Sequence, residues 1–78
     1  MTTEVVNVRK HSFEGDDGKM VEGVFFYLKI TQADGRIDTR RVFVGDDRLK
    51  DFAYVPQAGD KILVFASNGK VIDMLKAK

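Results

Sequence analysis

Alternation along Val24-Phe25-Phe26-Tyr27-Leu28-Lys29-Ile30 gathers onto one side of an extended chain the groups best suited to recognising another molecule. It is the longest run in which nearly every residue favours extended backbone. One face reads Val24, Phe26, Leu28, Ile30 and belongs in a core. The other reads Phe25, Tyr27, Lys29, Thr31 and leaves two rings and a cation to meet solvent, a partner or a second apolar layer. Exposed rings stack on flat groups, and a nearby ammonium or guanidinium pairs with anions. A second cation and ring, Arg41 and Phe43, share a face of the next extended run, while Val42 and Val44 take the core side with Arg40. A slip of one residue there would exchange Arg41 and Phe43 for Arg40 and Val42.

The remaining reactive side chains point to ordinary structural roles. His11 is the single histidine, and Ser12 beside it diverges from it on a strand. With no cysteine there is no thiolate nucleophile, and a zinc site would have to be assembled from one imidazole and carboxylates. Asp16-Asp17 and Asp46-Asp47 are paired acids of the kind that hold Mg²⁺, but each pair has glycine next to it, and turn or cap chemistry accounts for them. Gly15 to Lys19 lacks the spacing and following helix of a phosphate loop. A non-catalytic protein without metal or cofactor is the expectation. The short cationic runs Arg9-Lys10-His11 and Arg40-Arg41 are not continuous stripes, because consecutive residues on a strand face opposite ways; each offers one side to a groove, with Lys10, Arg40 or Arg41 as candidate phosphate contacts.

Seventy-eight residues suit one small domain spanning 1–78, in which stability rests on a compact core or on association, since no disulfide is available. The formal net charge of +1 is unlike that of strongly basic nucleic-acid-binding domains, so any such binding needs local segregation of charge. No apolar run is long enough to span a bilayer, and Met1-Thr2-Thr3-Glu4 does not begin a signal sequence; no membrane association and a cytoplasmic location are expected.

The elements that must position these residues follow from periodicity and turn chemistry. Thr3 to Phe13 predicts a first strand with Val6 and Val8 inward and Val5 outward with Thr3, Asn7 and Arg9, ended by Glu14-Gly15-Asp16-Asp17-Gly18. The second runs from Lys19 or Met20 to Gln32, with Gly23 placed for a bulge or bend. Ala33-Asp34-Gly35 reverses the chain into a third strand, Arg36 to Gly45. Between Gly45 and Pro56 the period changes, predicting a short helix capped by Asp46 or Asp47, with Leu49, Phe52 and Ala53 on its apolar side. Lys61 to Ser67 and Lys70 to Leu75 form a hairpin about Asn68-Gly69, leaving Lys76-Ala77-Lys78 as a polar tail.

The fold class expected is therefore all-β: a small five-stranded, partly open barrel with a short helix between strands three and four. That element order resembles the OB fold. An SH3-like barrel and a helix-free β-sheet dimer are the other arrangements of such elements. In length and in its lack of cysteine the chain resembles the small single-stranded DNA-binding proteins of bacteriophages; it carries neither a cold-shock aromatic signature nor the RNP aromatics of an RRM. The resemblance implies binding of single-stranded nucleic acid, with DNA preferred, across strands two and three by Phe25, Tyr27, Lys29, Arg41 and Phe43, with Lys10 and Arg40 contributing phosphate contacts. The residues alone leave a different outcome open, in which Phe25, Tyr27 and Phe43 fill the barrel or are covered in a homodimer or by another protein.

Overall fold

The computed structural model describes residues 2–77, apart from the side chain of Lys70; Met1 and Lys78, at the two ends of the sequence, lie outside the described residues. Five strands form one antiparallel sheet: β1 (Thr2–Glu14), β2 (Met20–Thr31), β3 (Ile37–Gly45), β4 (Lys61–Ser67) and β5 (Lys70–Lys76). A single turn of helix, α1 (Asp46–Leu49), separates β3 from β4. The sheet order is β3-β2-β1-β4-β5, so β1 is central and β3 and β5 are its two edges. The sheet is a partly open barrel, as expected: among the described residues no pairing joins β3 to β5.

The core comes from one face of this sheet, lidded by the segment after β3. Val24, Phe26 and Leu28 of β2 are buried, as their alternation demands, and β3 adds Val44 with Val42 packed against it. Ile62 and Met74 come from β4 and β5, and Phe52 closes the cluster from the loop beyond α1. Leu49 rests on the same cluster, but the helix is shorter than its apolar spacing suggests: it ends at Leu49, and Ala53 is exposed. Neither aspartate caps it. Gly45 is the N-cap residue with no side-chain bond, and Asp46 and Asp47 instead occupy the first turn.

Two bulges reset the alternation. In β1, Val5 faces Leu28 whereas Asn7 faces Tyr27, so Val6 is the extra residue. Val5 is therefore fully buried and Val6 is 48% exposed, reversing the strict period-2 expectation, while Val8 still packs inward opposite Phe26. In β5, Asp73 faces Phe65 and Val71 faces Ala66, so Ile72 is extra, which lets both Val71 and Met74 reach the core. Gly23 carries no bulge: pairing on both of its sides is continuous.

Turns follow the local chemistry closely. Gly15–Lys19 and Gln32–Arg36 are built alike, each closed by an N–H bond across the loop (Gly15 to Lys19 and Gln32 to Arg36, both 2.8 Å), each with an aspartate accepting from the amide two residues on, and each with a glycine at positive φ (78° and 90°). Asn68 and Gly69 both have positive φ, 52° and 78°, as a two-residue hairpin loop with the right twist requires. The longer loop before β4 is fastened to β1. The Val5 amide donates to the Asp60 carbonyl (2.8 Å), and the Gly59 amide donates to the Val5 carbonyl (2.7 Å). Ala77, expected in a polar tail, donates its amide to the Lys61 carbonyl, and Lys76 belongs to β5. Among the described residues no helix is long and apolar enough to cross a membrane.

Within that loop the Tyr54 hydroxyl donates to the Asp60 carboxylate, which also accepts from the Gln57 amide at 2.9 Å. These two bonds hold the Asp60 carboxyl below the usual carboxylate range, and the bond to Asp60 pushes the Tyr54 phenol above its usual value. For Asp60, the depressed folded value means the contribution to stability is present above the ordinary carboxylate pKa and lost as pH falls through the folded one. For Tyr54, the raised value means the contribution is present below about pH 10 and lost in stronger alkali. Tyr54→Phe is expected to lower the thermal midpoint at neutral pH by an amount that shrinks on acidification, measured by circular dichroism melts across the acid range. Phe26→Ala, which removes a fully buried ring, should cost about 3–5 kcal/mol in chemical denaturation.

Candidate functional site

Register fixes which side chains share the face opposite the core. Across β1, β2 and β3 the rows read Arg9, Phe25, Phe43; Asn7, Tyr27, Arg41; and Glu4, Lys29, Thr39. A further row holds His11, Gly23 and Gly45, and Phe13 lies opposite Val21 beyond it. Phe25, Tyr27, Lys29, Arg41 and Phe43 are thus brought together on one face, as the sequence pattern proposes. Phe25, Tyr27 and Phe43 are half-buried against each other, and none belongs to the core cluster.

The rings form a connected surface. Phe25 is its hub, with centroids 5.0 Å from Phe43, 5.1 Å from His11 and 6.3 Å from Tyr27. Phe13 extends it, edge-on to Phe43 at 5.5 Å and 5.9 Å from His11. Interplanar angles between 34° and 60° make this a set of tilted rings of the kind favoured by aromatic quadrupoles. The Arg41 guanidinium lies 4.7 Å from the Phe25 centroid, within cation–π range, which fixes a positive charge on the ring surface. Arg9 sits in the same row as Phe25, and Lys29 marks one end of the face. Glu4, opposite Lys29, is the one carboxylate in these rows. Among the described residues the single ion pair is Arg36–Asp34, at 2.8 Å, so neither Lys29 nor Arg41 is neutralised by a carboxylate within 4.0 Å.

Lys10 and Arg40 lie elsewhere. Lys10 is opposite Val24 and Arg40 opposite Leu28, which puts both at core-face positions of the ladder, where each is exposed beyond the packed cluster. Neighbours on a strand diverge, so Arg9 and Arg41 occupy the aromatic face and Lys10 and Arg40 do not.

No family model matches this chain, and neither the curated proteins nor the solved structures provide a match.

Three further members of the face are Arg9, His11 and Phe13. Their alternation with Asn7 is visible in the sequence, where Arg9 falls outward and Arg9-Lys10-His11 offers one side to a groove. The pairing partner is not, since nothing in the sequence says that β1 rather than another strand flanks β2 opposite β3. His11, expected to be a solvated imidazole, is exposed but rests its ring beside Phe25 and Phe13.

Gly23 is a positional requirement of this surface. A Cβ there would lie 2.5 Å from Phe43 Cζ and 2.5 Å from the Val44 carbonyl oxygen. The Phe43 ring occupies the space over Gly23 that a side chain would take, and the backbone oxygen cannot yield as a flexible side chain can. Gly23→Ala should therefore destabilise the protein by about 1–3 kcal/mol in urea denaturation, as overpacking does. Gly45→Ala, whose Cβ would have its nearest neighbour at 3.9 Å, should leave the midpoint nearly unchanged.

Proposed function

We propose that this protein is a non-catalytic binder of single-stranded nucleic acid, with DNA the preferred ligand, acting in the cytoplasm. The observation that carries the reading is the continuous ring surface centred on Phe25 with an unpaired Arg41 guanidinium over it and Arg9 and Lys29 in adjoining rows. Unpaired bases present a flat π-face regardless of sequence, and stacking each on an aromatic side chain contributes about 1–3 kcal/mol. Cations beside the rings neutralise the phosphates that a stacked strand carries past them. The face is open along three strands, long enough to take successive bases, and it is nearly free of carboxylates that would repel a polyanion. A modest net charge of +1 is compatible with this because the rows that hold the rings carry Arg9, Lys29 and Arg41 against one carboxylate, Glu4. The OB-fold resemblance is supported by a central first strand paired with both the second and the fourth, and by the helical turn between the third and fourth.

The reading is tested by titrating the protein with a labelled oligothymidylate at low and high salt. Binding tighter than about 100 µM at low salt, weakening as salt rises, is expected for a phosphate-contacting platform. Phe25→Ala should weaken binding by about 1–3 kcal/mol at every salt concentration. Absence of binding at low salt would remove the proposal.

A second reading, self-assembly, is favoured by a different surface. Among the described residues Thr3–Ile62 and Glu4–Lys61 are the positions that join β4 to β1, while β4 pairs with β5 from Ile62 to Ser67. Leu63, Phe65 and Ile72 on the β4–β5 hairpin are 53%, 43% and 55% exposed. Ile62 to Ser67 contains no charged residue. A second copy pairing hairpin to hairpin would cover these apolar side chains and enlarge a small core. This homodimer would cover the hairpin and leave the Phe25 face free. Sedimentation velocity over a concentration range should show a dimer that Leu63→Ser with Phe65→Ser converts to monomer; a wild-type protein monomeric throughout would discard it.

A further inference from the structure

The barrel stays open between its two edge strands, and the gap is not empty of chemistry. A cleft of about 570 Å³ runs there between β3, the start of α1 and the β4–β5 turn. Arg40 and Arg41 of β3 and Arg48 of α1 line it on one side, Gly69 and Val71 on the other, and Asp47 is its one carboxylate. Among the described residues none of the three arginines has a carboxylate within 4.0 Å, since the single ion pair is Arg36–Asp34. Packing does not explain Arg40. It stands at a core-face position opposite Leu28, yet it is exposed and faces this opening.

We propose that this seam is a phosphate-binding cleft, taking the sugar–phosphate backbone of the strand whose bases stack on the Phe25 face; the inference rests on that nucleic-acid reading and extends it to a second surface. Three features join the two. Arg41 belongs to both, its guanidinium lying over the Phe25 ring while the residue also lines the cleft. A strand leaving the rings across the β3 edge therefore meets Arg41 first and then Arg40 and Arg48. Guanidinium groups present a planar fork of donors that matches phosphate oxygens in pairs, and Arg40 and Arg48 against the one carboxylate, Asp47, give the cleft a net positive charge, with Arg41 at its edge over the Phe25 ring. The opposite wall is formed by Gly69, which has no side chain, and Val71. The order of contacts is thus rings for bases on β1 to β3, and guanidinia for phosphates past the β3 edge.

The experiment compares the full-length wild-type protein, Arg40→Ala/Arg48→Ala, Arg40→Lys/Arg48→Lys and Phe25→Ala, each titrated with a labelled oligothymidylate over a series of salt concentrations. Arg40 and Arg48 are exposed, so unchanged thermal midpoints are expected and are checked first. Each phosphate contact to a single strand contributes about 0.7 to the slope of log K against log salt. The double alanine variant is therefore expected to lose about 1.4 from that slope, while oligonucleotide still quenches tyrosine fluorescence at saturation. The double lysine variant should recover most of the slope. Phe25→Ala should lower affinity at all salts with the wild-type slope retained. A double alanine variant with wild-type slope and affinity overturns the seam proposal and leaves the ring platform standing. A wild-type protein that fails to bind overturns the platform, and the seam with it, so the two failures are told apart.

Discussion

Residues 24, 26 and 28 of β2 can enter the core only because residues 25 and 27 leave it, and every other feature of the molecule is subordinate to that alternation. Val24, Phe26 and Leu28 are buried, and two aromatic side chains are in consequence held on the far face by the same backbone. Turning Phe25 or Tyr27 inward would require turning Phe26 outward, which the burial of a large apolar ring opposes. The aromatic face is thus not an independent surface decoration. It is held at fixed spacing by the energetics of the core beneath it.

β1 and β3 adapt to this strand by different means. β3 matches it residue for residue, bringing Phe43 level with Phe25 and Arg41 level with Tyr27. β1 cannot match throughout, because Val5 and Val8 must both point inward although they are an odd number of residues apart. The bulge at Val6 resolves the conflict, and its consequence reaches the site: after it, Asn7, Arg9, His11 and Phe13 all take the aromatic side. The same device in β5 lets Val71 and Met74 serve one core. Close approach of β3 over Gly23 completes the surface by seating the Phe43 ring against the β2 backbone.

Incomplete closure gives the molecule its other surfaces. Among the described residues β4 meets β1 at two register positions, and the molecule is elongated, 45 × 25 × 23 Å. The open side carries the exposed apolar side chains of Leu63 and Phe65 and the seam lined by Arg40 and Arg48, with Arg41 at its edge over the Phe25 ring.

Local chemistry in the sequence was sufficient for the strands, their order along the chain and their turns. Asp34-Gly35 and Asn68-Gly69 each hold the backbone conformations that their residue types favour, and Val24, Phe26, Leu28 and Val44 are where a period of two puts them. The joint placement of Phe25, Tyr27, Lys29, Arg41 and Phe43 on one face was likewise legible, because a hairpin as short as Ala33-Asp34-Gly35 leaves little freedom of register. What the sequence could not express was anything that depends on which distant strands meet. The bulge at Val6 arises from a packing conflict between β1 and β2, the role of Gly23 from the ring of Phe43, the recruitment of Arg9, His11 and Phe13 from the position of β1 beside β2, and the divergence of Arg40 from Arg41 into two different surfaces from a barrel that stops short of closing. Propensity and periodicity act between neighbours along the chain, whereas these features are set by steric fit between segments that only the folded sheet brings into contact.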